Sequence, residues 1–126
     1  MRKFLTGSSI AIIILLFTGC GQTVQPPLYN WGNYVKSSSD YGMYGEKKEI
    51  LEKHILVLEK IIDESEAKKQ RVAPGIYAEY AQILFKTNKK EKAKKYFALE
   101  KNTYPESTQF IDRVMVKLYG VQKWEN

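Results

Sequence analysis

Cysteine and histidine each occur once in the 126 residues. A single thiol excludes an intrachain disulfide framework and a multi-cysteine zinc site. A single imidazole, His54, excludes a multi-histidine metal centre, and any Ser-His-Asp triad would have to use it. Arginine is scarce, so the basic set is almost all lysine, whereas base and phosphate recognition favours guanidinium forks. No nucleophile–base pair, phosphate-cradling glycine loop or metal-ligand spacing is visible. These absences predict that the protein is not an enzyme and uses no cofactor. What remains is the balance of a folded chain, 27% charged and 44% hydrophobic, with a length suited to one domain.

The start of the chain is informative. Arg2 and Lys3 precede an apolar run at 10–17. At 1.5 Å per residue that run spans about 12 Å, far short of a hydrocarbon core of roughly 30 Å. It reads as a secretory h-region within a signal peptide at 1–19. Phe17-Thr18-Gly19-Cys20 resembles the lipobox of bacterial lipoproteins, with Phe where Leu is usual. The resemblance implies diacylglyceryl transfer to Cys20, cleavage before it and acylation of the new amine. Two acyl chains bury about 30 methylenes at about 0.8 kcal/mol each, a stable anchor where one chain would be marginal. Gly21, in place of the Asp that favours inner-membrane retention, points to the outer membrane, facing the periplasm. Cleavage leaves 18 basic against 14 acidic side chains, and an exported chain meets no genome, so nucleic acid is not an expected partner.

Residues 20–28 follow as the lipidated N-terminus and an extended, proline-containing tether. The stretch 29–44 combines Tyr29, Trp31, Tyr34, Tyr41 and Tyr44 with glycines and a triple serine, which argues against a long helix. It predicts a non-helical strap. Its aromatics either pack onto the body or present a partner-binding patch of Tyr29, Trp31, Tyr34 and Tyr41.

From 45 to 120 the period is helical, and 121–126 is a tail in which Trp124 can fold back. Ile50, Leu51, Ile55, Leu58, Ile61 and Ile62 share one arc of a first helix. His54 falls inside that arc and reads as a core or boundary histidine rather than a ligand, while Leu56 projects among charges. Residues 64–70 are expected to fray. Pro74 is expected in the first turn of a second, largely apolar helix, and Asn88 in the left-handed conformation at its end. A third helix carries Ala93, Tyr96, Phe97 and Leu99 inward. Thr103 to Glu106 has the form of a capping box. Phe110, Ile111, Val114, Met115 and Leu118 share a face of the last helix, which Gly120 stops.

Tyr77, Tyr80 and Ala81, then Ala93, Phe97 and Pro105, sit where a tetratricopeptide unit places its large, small, aromatic and terminal proline residues. Asn88 and Glu100 depart from that pattern, and no second unit is found. The expected fold is all-α: helical hairpins, with one tetratricopeptide-like unit flanked by an N-terminal and a C-terminal helix. Leu28 to Tyr34, Pro74 to Tyr80, and Tyr104 to Ser107 with Phe110, Asp112 and Arg113 resemble a family of small bacterial lipoproteins. That family is catalogued as a domain of unknown function with a tetratricopeptide-like core. The resemblance implies an envelope lipoprotein without known catalytic activity, encoded beside a CsgG-like lipoprotein, which is the expected partner; it supplies no site residues.

Two charge features remain. Glu100 faces the core, where a carboxylate needs a partner. Arg113 is expected to pair with it and fix the last helix, unless both reach solvent. The lysine run at 86–95 reads as a solvated face or as a contact with anionic headgroups or an acidic partner. The expected function is a membrane-anchored protein-binding scaffold or assembly factor. The alternative is a direct binder of peptidoglycan or lipopolysaccharide.

Overall fold

The computed structural model describes residues 25–120. Cys20, the signal segment at 1–19 and the tail at 121–126, with Trp124, lie outside the described residues. Five helices follow one another with short connections: α1 (Tyr34–Tyr44), α2 (Lys48–Ala67), α3 (Ile76–Lys86), α4 (Lys90–Thr103) and, after a 3-10 turn at Pro105–Ser107, α5 (Thr108–Tyr119). No strand occurs among the described residues. The fold is all-helical, as expected, and is built from hairpins. The most extensive packing joins α3 to α4, then α1 to α2.

Helices α2 and α3 follow their apolar stripes. On α2, Leu58, Ile61, Ile62 and Ser65 are buried together with His54, a spacing that keeps one face on the core. The opposite face carries exposed i,i+4 pairs such as Lys53 with Glu49, 3.0 Å apart, which add only a few tenths of a kcal/mol each. On α3 nearly every position is buried, from Ile76 through Leu84, because α2 and α4 both cover it. Of the tetratricopeptide-like positions, Tyr77, Tyr80, Ala81, Ala93 and Phe97 lie in this core, and Pro105 is exposed.

Two helix ends use left-handed residues. Lys69 (φ 52°) and Asn88 (φ 63°) follow α2 and α3. Gln70 N–H then reaches Ser65 O and Lys89 N–H reaches Leu84 O, each at 2.8 Å, the closing bonds of a Schellman motif. Asn88 thus adopts the expected conformation.

Several expectations need correction. The strap at 29–44 is helical over α1, because tertiary contacts outweigh the poor propensity of serine and glycine. The segment at 64–70 does not fray at its start: α2 runs to Ala67, with Glu64 accepting from Asn30 Nδ2 at 3.0 Å. Pro74 precedes α3 rather than opening it. With Gly75 at φ 87°, ψ −16° and Ile76 N–H on Ala73 O at 3.2 Å, it forms a type II turn that requires glycine at its third position. No capping box forms at Thr103, which is the last residue of α4; Ser107 Oγ instead donates to Tyr104 O at 2.7 Å. Phe110 is 58% exposed rather than inward. The tether is not loose at its end, since Gln70 Nε2 donates to Pro27 O and Leu28 O at 3.0 and 3.1 Å.

Candidate partner-binding site

The aromatic segment is divided by α1. Tyr34, Ser37 and Tyr41 share the helix face that meets α2, and between them sits the fully buried His54. Its Nδ1 is 2.7 Å from Ser37 Oγ and its Nε2 is 2.8 Å from Glu79 Oε1 on α3. Tyr34 donates to the other oxygen of Glu79 at 2.7 Å. The Tyr41 ring stacks on the imidazole at 4.8 Å with a 12° tilt. One imidazole therefore joins three helices.

The electrostatics fit an ionised Glu79. Burial pushes its carboxyl upward, but the hydrogen bonds from His54 and Tyr34 outweigh that and hold it below the usual range. Tyr34 is raised by its own desolvation and by the carboxylate it donates to.

Ser37, His54 and Glu79 are the residue types of a nucleophilic relay. In the fold they lock α1 onto α2 and α3. Ser37 is only 8% exposed, its oxygen is committed to the imidazole, and its N–H is bonded to Asn33 O within the helix at 3.1 Å. Ser37 is the fourth residue of α1, so it sits in the first turn of the helix.

Of the four residues expected to form a partner patch, Tyr34 and Tyr41 are thus turned inward and Tyr29 is half-buried against the core. Trp31 is the one with an open face, 43% exposed. It packs edge-on against Tyr29 at 6.3 Å and tilts over Tyr34 at 5.6 Å. Beyond it the outer face of α1 carries Val35 and Met43, 79% and 62% exposed. Spacing by four places Val35, Ser39 and Met43 in one row of α1, and Trp31 lies just before the helix begins. Leu56 of α2 is also exposed, and it lines a cleft with Ile50 and Val57 between α1 and α2. This row was missed because it exists only once 34–44 is a helix.

Glu100 is buried, as expected, but not with Arg113. Gly75 N–H donates to Glu100 Oε1 at 2.8 Å, so the carboxylate caps the start of α3. Burial pushes Glu100 upward, against the pull of backbone hydrogen bonds. Arg113 points to solvent. Arg71 braces this end of the fold: its guanidinium lies 4.9 Å from the Tyr104 ring centre and donates to Thr103 O at 2.9 Å.

The lysine run is not simply solvated. Lys90 lies over Phe85 at 5.3 Å and Lys94 over Tyr119 at 5.3 Å. Lys92 lies over Tyr80 at 5.3 Å and donates to its hydroxyl at 2.9 Å, while that hydroxyl donates to Glu59. Rings and carboxylates from α2, α3 and α5 hold these ammonium groups in place.

No group of three or more His, Cys, Asp or Glu among the described residues could hold a metal ion. No described helix is long and apolar enough to cross a membrane. A model of one family, described as a domain of unknown function (DUF4810), matches residues 28–114, from the aromatic segment into α5. No curated protein and no solved structure matches the chain.

Proposed function

The chain belongs to the family of domains of unknown function DUF4810, and from that premise we propose that it is an envelope lipoprotein acting as a protein-binding scaffold or assembly factor. Cys20 carries the anchor, in the outer membrane facing the periplasm, and a CsgG-like lipoprotein is the partner. The observation that supports a binding role is the set of uncovered apolar side chains, Val35 and Met43 on α1 and Trp31 just before it. Three large apolar side chains left open on one segment favour an interaction surface there. A role without catalysis accords with the closed Ser37–His54–Glu79 lock.

The tether enters the fold at the end opposite the lysine-rich turn. Pro27 and Leu28 are pinned at Gln70, beside the end of α2. From Cys20 to Pro27 the chain reaches at most about 25 Å, whereas the lysines near the α3–α4 turn lie at the far end of α2, a helix about 30 Å long. With Cys20 acylated, the anchor joins the fold at the end of α2 opposite those lysines.

A photo-crosslinking residue at Val35, in cells expressing the full chain, tests the reading. A discrete protein adduct supports the scaffold. Adducts only to peptidoglycan or lipopolysaccharide support the polymer-binding alternative. Palmitate labelling that persists in Cys20→Ser would overturn the anchor.

A further inference from the structure

At the end of α1 a cleft of about 530 Å³ opens between the α1–α2 connection and the last turn of α3. Tyr41, Met43, Tyr44 and Leu51 give it an aromatic and apolar lining, and Lys47 and Lys86 provide its cations. The Lys47 ammonium lies 5.2 Å from the centre of the Tyr44 ring. The Lys86 ammonium lies 6.0 Å from the Tyr41 ring centre and 3.4 Å from its hydroxyl. Among the described residues neither cation is ion-paired, unlike Lys36, Lys53, Lys94 and Lys101, which each hold a carboxylate. Glu46 is the only carboxylate in the lining. Tyr41 is fixed from behind by its stack on His54, so the cleft wall is preorganised.

We propose that this cleft docks an acidic segment of a partner protein. Carboxylates on that segment would pair with Lys47 and Lys86, and an apolar or aromatic side chain between them would rest on Tyr41, Tyr44 and Leu51. Charge complementarity selects the acid. The volume and the apolar lining select a peptide, since a bare anion would leave the rings uncovered. The proposal rests on the scaffold reading and names the chemistry of its client.

The test uses the full chain in detergent and a short fluorescein-labelled peptide of alternating glutamate with phenylalanine and leucine, beside its glutamine counterpart. Fluorescence anisotropy should show the acidic peptide binding about tenfold more tightly than the glutamine form, and more weakly as salt rises. Lys47→Glu with Lys86→Glu should lower its affinity about tenfold. Gly42→Leu, at a position where an added Cβ meets nothing within 4 Å, should fill the cleft and reduce binding with no change of charge. Lys60→Glu with Lys117→Glu, an equal charge change elsewhere, should leave binding intact. Equal losses in that control overturn the proposal. So does binding to phosphatidylglycerol vesicles that follows the Lys47 and Lys86 variants while the peptide does not bind. In cells, a protein adduct at Val35 that survives the Lys47→Glu, Lys86→Glu pair leaves the scaffold standing and removes the cleft. Absence of any protein adduct in the unaltered chain removes the scaffold itself.

Discussion

Between α3 and α4 the buried residues are almost all apolar, with Tyr77, Ala81, Leu84, Ala93 and Phe97 in one core. Between α1 and its neighbours the buried contacts are polar and aromatic, centred on His54, Ser37 and Glu79. The central hairpin, α3 with α4, is held by a non-directional force proportional to area. The other hairpin's first helix depends on a few directional bonds, each costly to leave unmade. This difference assigns separate tasks. The central hairpin carries the stability of the domain, and α1 is an attached element that presents an outward row and one wall of a cleft.

The largest expected effect comes from the central hairpin. Phe97→Ala removes a fully buried ring and should cost about 3–5 kcal/mol. Urea unfolding should show one transition moved to much lower denaturant, with every helix lost together. A small loss, or a loss confined to α4, would break the contrast.

His54→Ala should cost less, about 3 kcal/mol, because it strands Ser37 and Glu79 without opening the apolar core. Its signature is regional. Amide exchange should accelerate through α1 while α3 and α4 keep their protection. Equal acceleration everywhere would mean that the lock belongs to the global core.

That division also explains what the sequence could reveal. The stripes of α2, α3 and α4 are periodic, so their existence and buried faces were readable residue by residue. Helix α1 was not readable, because Ser37, Ser38, Ser39 and Gly42 lower its propensity and the compensation comes from His54 and Glu79, far along the chain. The same physics misdirected the reading of Glu100. Its burial followed from helical phase, but its partner is a backbone N–H at Gly75, and backbone donors leave no mark in side-chain spacing. Of the candidate site, Trp31 was legible as an aromatic. Val35 and Met43 were not, since their row exists only on a helix.

Acid should separate the two regions by sign. Glu79 titrates below its ordinary value of 4.5 in the fold. Its contribution is complete above that value and is lost as pH falls through the depressed folded value. Glu100 titrates above 4.5 in the fold, so the folded state binds the extra proton. Its contribution declines as pH rises from 4.5 through the raised folded value. Unfolding free energy measured against pH in Glu79→Gln should lose an acid-side fall. In Glu100→Gln the decline on the other side of 4.5 should disappear. Slopes that change in the same direction would refute the assignment of one carboxylate to each region.

The smallest effects lie at the two left-handed helix ends. Lys69 and Asn88 occupy equivalent Schellman positions, at φ 52° and 63°, but the side chains differ in what that conformation costs. Lysine has a Cβ and no local hydrogen bond to offset the strain, whereas asparagine tolerates the region better. Lys69→Gly should therefore stabilise by about 0.5–1 kcal/mol, seen as a rise in Tm of several degrees for a domain of this size. Asn88→Gly should gain at most a few tenths of a kcal/mol. The comparison is sharpened by its order: the connection leaving the first hairpin carries the greater relievable strain, and the turn inside the central hairpin is already near its optimum. Equal gains at the two positions would show that the side chain at the helix end does not set the difference.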